Sequence, residues 1–417
     1  MSTMNDLELY KNILGVKGPW DVTEVQLDLK GNTVTIRVKH TSDRQPHCPE
    51  CDGIATLYDH RVRRWRHLPT CQMITIIECD VPRVSCDRHG VKQILVPWAE
   101  KNSHFTALFE ALVITWLKET SLSGVAHLLS LSWDQVSGIQ ERAVKRGLER
   151  REDHPIENLA IDETSFQKRH EYVTAIYDKD RDVIVDILDD RKSETLEKWL
   201  SNWPLEHLDA VKTVSMDMWD PYILAVKNKI PDAMAKICFD RFHVAQHFGK
   251  AVDKVRAQEN RFFITNGKES PLAKTKHDWL RNSNRTDNRT RRNFMILTRT
   301  TLKTARAWAI KETASQIWNY TYRGSAEKAW FYLLGWISRC RLDPVKKVGR
   351  MIKNYLWGII NAIMFKTSNA IAESKNARIQ RVKKMACGFK NRARFRMAIL
   401  FHLGGLNMMP GVLKNMA

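Results

Sequence analysis

Two acidic residues directly follow short apolar runs. Asp162 comes after Leu159-Ala160-Ile161, and Asp217 comes after Val211 to Met216. Each run reads as a strand, so both carboxylates are expected where strands stop, in the crevice where open α/β sheets bind ligands. Two carboxylates there can share divalent cations. Taken singly, such residues more often cap a following helix or solvate a turn, and Asp162 with Glu163, or Asp217 with Asp220, could be of that kind. A third acid, Glu373, lies in Ser368-Asn369-Ala370-Ile371-Ala372-Glu373-Ser374-Lys375-Asn376 and is one of 9 acids in residues 241–417. On a helix, Asn369, Glu373, Asn376 and Gln380 share a polar face, while Ile371, Ile379, Val382 and Ala386 share the other. A surface glutamate pairing with Lys375 or Arg378 would look the same by composition.

A second chemistry is indicated by Cys48-Pro49-Glu50-Cys51 and Cys86-Asp87-Arg88-His89, two knuckles separated by 34 residues. Each presents two ligands from one tight turn, and together Cys48, Cys51, Cys86 and His89 supply the tetrahedral set that Zn²⁺ prefers. Two reduced thiol pairs are the plainer alternative. His47, Cys71 and Cys79 are spare candidates, the last two reading as strand residues.

The elements that must hold these groups are legible in outline. Residues 23–39 alternate apolar and polar on either side of Gly31-Asn32, which predicts a β-hairpin. Thr106 to Glu119 repeats Leu108, Leu112 and Trp116 at helical spacing, and Val125 to Leu129 gives a short second helix. Ser132-Trp133-Asp134-Gln135 matches a capping box that opens a third helix, with Val136, Ile139, Ala143 and Val144 as its inner stripe. Three such helices describe a helix-turn-helix, in which the exposed face, read as Gln135, Ser137, Gln140 and Arg142, enters the major groove. A plain helical bundle would share the pattern. Arg142 to Pro155 reads as a helix end and linker. Beyond it, strands at 159–161, 171–177 and 183–188, then a helix, a strand at 211–216, a helix, a strand at 236–239 and a helix from Phe242 predict a mixed α/β sheet.

Charge separates these regions. Residues 1–155 balance, residues 156–240 sum to −7, and residues 241–417 sum to +27, within a chain of net charge +20. A compact domain so basic repels itself unless a polyanion neutralises it, which makes nucleic acid the first candidate partner. Basic residues mixed with Trp and Phe over many helices form no single amphipathic anchor for an anionic membrane. The longest apolar stretch, Tyr355 to Phe365, is about half of a bilayer span, and the acidic N-terminus lacks signal-peptide character. A cytoplasmic, nucleoid-associated protein is expected.

Taken in order, these motifs resemble the bacterial insertion-sequence transposases of the L-three family. The matching residues are the Cys48/Cys51 and Cys86/His89 pairs, Ile161-Asp162-Glu163, Ser215-Met216-Asp217-Met218 with Tyr222, and Asp240-Arg241-Phe242-His243-Val244. Ser368-Asn369 with Glu373 and Asn376, and Gly388-Phe389-Lys390-Asn391, complete the set, which spans about residues 48–403. The resemblance implies a ribonuclease-H-like DDE domain with Asp162, Asp217 and Glu373 as a triad holding two Mg²⁺ (or Mn²⁺) ions about 4 Å apart. It implies Asp240 and His243 behind that triad, and a zinc site in which His89 stands where the family often has Cys.

The implied organisation is a β-rich zinc-binding segment (1–100), a helix-turn-helix (101–155), a first catalytic part (156–243), a helical insertion (244–366), and a last catalytic helix with the tail (367–417). Tryptophans of the insertion (Trp279, Trp308, Trp318, Trp330, Trp336, Trp357) are expected mainly in its core, with one or two free to stack on bases. Lys375, Arg378 and Lys383 would meet phosphates. The partner is double-stranded DNA, bound by a homodimer or higher oligomer, with cleavage and strand transfer as the activity. Two other classes stay open on sequence: a DNA-binding regulator that uses the α/β part for assembly, and a ribonuclease-H-like nuclease or resolvase that cuts without joining.

Overall fold

The computed structural model describes residues 6–42, 45–167, 171–281, 294–300, 302–367 and 370–411, the side chains of 370–373 excepted. The chain divides into two compact units, 1–152 with 406–417, and 153–405.

In the first unit, α1 (Asp6–Ile13) precedes β1 (Trp20–Asp28) and β2 (Thr33–His40), the hairpin expected around Gly31-Asn32. β3 (Thr56–Thr70) and β4 (Met73–Cys86) form a second, longer hairpin, and β5 (Gly90–Gln93) returns along β4. The sheet order is β1-β2-β4-β3 with β2 and β4 parallel. Its core is built on Trp20, Trp65 and Trp98, packed edge to face with centroids 5.1 and 5.5 Å apart, a geometry that suits the ring quadrupoles. Cys79 is buried in β4, as its strand reading requires. Cys71 is not a strand residue: it sits at φ 48° in the β3–β4 turn and is exposed.

Next come α2 (Ala107–Glu119), α3 (Leu122–Leu129) and α4 (Trp133–Glu149). Thr106, Ser121 and Ser132 cap them through side-chain oxygens, and Ser132 with Gln135 completes the capping box. Each such cap satisfies an orphan amide and is worth about 1 kcal/mol. Buried Glu110 on α2 holds Arg142 at 2.6 Å and Arg146 at 3.1 Å on α4. Arg146 is buried as well, and removing one partner of the Glu110–Arg146 pair typically costs about 3–5 kcal/mol. Arg146 also donates to the Met408 carbonyl and Arg150 to that of Met409, so this late segment closes over α4.

The second unit opens with an antiparallel meander, β6 (Asn158–Gln167), β7 (Glu171–Asp178) and β8 (Val183–Leu188). Helices α5 (Ser193–Leu200) and α6 (Leu205–Ala210) lead to β9 (Thr213–Met216), and α7 (Asp220–Lys229) and α8 (Ala233–Lys236) lead to β10 (Ile237–Phe239). The order is β10-β9-β6-β7-β8, with β10, β9 and β6 parallel. Leu159, Ala160 and Ile161 form a continuous apolar run because β6 is covered on both faces. Leu159 and Ile161 join one core with Val214, Met216 and Tyr222, while Ala160 joins another with Tyr177, Ile379, Phe395 and Ile399.

From β10 the chain continues through α9 (Arg241–Thr265), α10 (Lys276–Leu280), α11 (Lys303–Ile317), α12 (Arg323–Arg339) and α13 (Asp343–Met364). Trp279 and Trp330 are fully buried in this helical array. Gly358 of α13 lets the helix approach β10, since a Cβ there would lie 2.5 Å from the Phe239 ring. Finally α14 (Ala370–Met385) and α15 (Arg392–Leu403) cover the second face of the sheet. Among the described residues, no helix is long and apolar enough to cross a membrane.

Candidate active site

Strand register builds the site. Ala160 of β6 pairs with Ser215 of β9, so Asp162 and Asp217, each two residues further on, are level on neighbouring parallel strands. Met216 pairs with Phe239 of β10, which brings Asp240 level with Asp217. Three carboxylates are thereby aligned across adjacent parallel strands. One expectation needs correction: β6 does not stop at Ile161 but runs through Asp162 to Gln167, because β7 continues to pair with it there. Asp162 is therefore a strand residue, 7% exposed, whereas Asp217 does follow the end of β9.

Burial, and next the charge of Asp217, push the Asp162 carboxyl up to about 7. Such crowding of acids in low dielectric is relieved by a cation or a proton. His243, in the first turn of α9, brings Nε2 to 2.9 Å from Asp217 and 3.9 Å from Asp240. Burial alone would lower its imidazole, but the Asp217 hydrogen bond and the charges of Asp217, Asp240 and Asp162 outweigh it and raise it. The ligand atoms of Asp217, Asp240 and His243 all lie within 4.8 Å of one another. Hard oxygen donors with one imidazole suit a divalent cation, so this donor set fits the metal that the resemblance implies.

From the other side, Asn376 of α14 donates 2.8 Å to Asp162 Oδ2 and accepts from the Tyr177 hydroxyl at 2.9 Å. Gln380 and Lys383 of the same helix donate to Thr164 and Ser165 of β6. Thr367, just before α14, is held by Ser215 at 3.0 Å and by Lys179. Glu373 thus falls on a helix whose two flanks, Thr367 and Asn376, are tied to β9 and β6. Its side chain, like all of Ser368 and Asn369, lies outside the described residues.

The residues expected to read DNA divide. Gln135 is exposed but is spent on the capping box, and Ser137 is half-buried. Gln140 is 5% exposed and faces the bundle, since it follows Val136 and Ile139 on the inner stripe. Arg142 is tied to Glu110. The exposed residues of α4 are instead Asp134, Gln135, Glu141, Lys145 and Glu149. On α14, Lys375 is 4% exposed and paired with Asp182 at 2.9 Å, and Lys383 is turned onto β6, whereas Arg378 is exposed. A helix-period reading places these positions on the polar side, and only tertiary packing shows that this side is the one laid on the sheet.

The zinc-type cluster assembles as its spacing requires. His89 Nδ1 lies 3.7 Å from the sulfurs of Cys48 and Cys86, and Cys51 Sγ lies 3.9 Å from Cys86 Sγ. Backbone amides, that of Glu50 foremost, hold the Cys48 thiol down to about 6. A thiolate is the form that binds metal, so the donor set fits zinc. Cys79, with its thiol pushed up to about 12 by burial, and Cys71 stay outside the cluster.

A family model described as a transposase, the DDE domain of the ISL3 type, matches residues 159–399. The chain belongs to the ISL3 transposase family. Two further models agree in position: the helix-turn-helix domain of transposase family ISL3 over residues 95–144, and the zinc-finger of transposases IS204/IS1001/IS1096/IS1165 over residues 44–89. The transposase is similar to the transposase for insertion sequence element IS1557 of Mycobacterium tuberculosis, 25% identical with 98% of each chain covered. It is also similar to the transposase for insertion sequence element IS1001 of Bordetella parapertussis, 23% identical, covering 95% of this chain and 98% of that protein. The zinc-finger match and the four-ligand cluster together support a structural zinc in this transposase. Sequence reasoning missed Tyr177 beside the Asn376–Asp162 pair; His243, expected behind the acids, lies 2.9 Å from one of them, Asp217.

Proposed function

We propose that this transposase binds the ends of an insertion sequence and carries out metal-dependent strand cleavage and strand transfer, with a ribonuclease-H-like catalytic domain. The carrying observation is the level placement of Asp162 and Asp217 on parallel β6 and β9, with the Asp162 carboxyl raised by burial and by its neighbour. A meander followed by two parallel strands on its first member supports the ribonuclease-H-like reading.

Asp162, Asp217 and Glu373 would hold Mg²⁺ or Mn²⁺, with Asp240 and His243 beside them. Bound there, the cations would lower the pKa of an attacking oxygen and offset charge on the leaving one. Asp217 pairs with the His243 imidazole at 2.9 Å, which would keep a proton near the site. Asn376 aims Asp162. The basic residues 241–417 position two polyanions, and the zinc segment and helix-turn-helix supply end recognition; Cys48, Cys51, Cys86 and His89 hold the zinc. Assembly as a homodimer or larger on double-stranded DNA completes the reading.

The test is cleavage and joining of DNA carrying the element's own ends, with wild type and Asp217→Asn, in Mg²⁺. Nicking without joining of a pre-cleaved end would redirect the assignment to a nuclease. Specific binding with no cutting would redirect it to a regulator.

A further inference from the structure

Beside Asp217 lies a cleft of about 120 Å³ lined by Glu163, Asp217, Met218, Trp219, Tyr222, His243 and His247. Trp219 is 39% exposed there. Among the described tryptophans only Trp219 and Trp336 are exposed to this degree, and Trp336 sits in the helical insertion on α12. Trp279 and Trp330 are core, as expected for most tryptophans of the insertion.

The indole is fixed rather than loose. Its backbone N–H donates to the Asp217 carbonyl at 2.8 Å, and its own carbonyl accepts from Tyr222 and Ile223 at the start of α7. Its Nε1 donates to the Arg191 carbonyl at 3.4 Å, and the Arg191 guanidinium lies over the ring, 4.9 Å from its centroid. Arg191 is itself held by Glu163 at 3.2 Å and by the Tyr172 ring at 5.1 Å. A large apolar ring kept in one orientation and left in water forgoes burial, and several groups are arranged to keep it so.

An indole presents an electron-rich face, which favours a flat π partner over a phosphate. DNA supplies such faces only as bases, and a base shows its face only when it leaves the duplex stack. We propose that Trp219 is a stacking platform for a base unstacked beside the phosphodiester that Asp162 and Asp217 serve. This rests on the strand-cleavage reading above. Stacking of this type tolerates any base, so the platform holds the strand in place without reading its sequence.

The test uses the full chain, DNA carrying the element's own ends, and versions of that DNA with one abasic position placed in turn at each nucleotide near the cut. On intact DNA, Trp219→Ala is expected to cut about 5- to 160-fold slower in single turnover, the range that stacking one base spans, and Trp219→Phe to recover most of the rate. With the abasic position at the stacked nucleotide, wild type and Trp219→Ala should cut alike. A loss of the same factor at every abasic position, or no loss on intact DNA, would overturn the platform. In Ca²⁺, 2-aminopurine at that nucleotide should change fluorescence on binding wild type and not Trp219→Ala. Should wild type bind ends and cut nothing, the cleavage reading fails and the fluorescence decides alone: a Trp219-dependent change sustains the platform, and its absence overturns it.

Discussion

Asn376 and Asp162, 214 positions apart in the chain, are joined by a 2.8 Å hydrogen bond from the amide Nδ2 to Oδ2. The Tyr177 hydroxyl fixes the amide by donating to its oxygen, so the nitrogen must face the acid. Asn376→Ala should reduce cleavage about tenfold and stability by about 1 kcal/mol, the usual worth of such a bond. Asn376→Asp should be worse, because it sets a like charge against Asp162. Equal rates for the two variants in a single-turnover assay would remove the positioning role.

Asp162→Ala, Asp217→Ala and Glu373→Ala should each lower cleavage and joining by about a thousandfold or more, in keeping with charge stabilisation worth several kcal/mol. End binding should change little, since DNA affinity comes from basic groups. Gel-shift and cleavage assays on the same DNA separate the two. Full cleavage by Glu373→Ala would send the third role to Asp240.

Without metal, the Asp162 carboxyl keeps its proton in the folded chain up to about pH 7, whereas an unfolded Asp releases it near about 3.9. The stability this group contributes is therefore complete below about pH 3.9 and is lost as pH rises through about 7. A cation that needs the ionised form should stabilise more at about pH 8 than at about pH 6. Thermal unfolding with and without Mg²⁺ at both values reads this, and Asp162→Asn should flatten the difference. The same Mg²⁺ shift at both pH values in wild type would refute it.

Zinc should be present at one per chain. Cys86→Ser or prolonged chelation should release it and loosen the β4–β5 end of the first sheet, with loss of specific end binding. Metal analysis of protein purified without chelators is decisive: no zinc means no site.

The buried positions of Gln140 and Lys375 reverse what their sequence context suggests. Gln140→Ala and Lys375→Ala should lower thermal stability and leave the salt dependence of DNA binding unchanged. Exposed Arg378 and Arg381 on α14 are the positions whose neutralisation should flatten it, by about 0.9 in the slope of log K against log salt for each phosphate no longer neutralised. A salt titration in which Lys375→Ala, and not Arg378→Ala, changed the slope would reverse this assignment.

Sequence alone located the knuckles, the three capped helices and the strand-helix alternation, because each leaves a local mark: ligand spacing, a hydroxyl before an apolar period, an apolar run before an acid. It erred where the outcome depended on a distant partner. β6 extends past Asp162 because β7 pairs with it, and no residue near 162 records that. The polar side of α14 lies against β6 because Thr164, Ser165 and Asp162 receive it, so a stripe that looks solvated is an interior one. His243 could be placed near the acids by its spacing from Asp240, but its 2.9 Å contact with Asp217 follows from β10 lying beside β9.

The closure of residues 406–411 over α4 makes the unit that carries the helix-turn-helix a product of two segments far apart in the sequence. On the ribosome, the catalytic sheet and the helical array emerge before Met408 and Met409 can reach Arg146 and Arg150. A chain stopped before Met408 therefore holds α4 without these two anchors, and full stabilisation of the first unit waits on synthesis of the second.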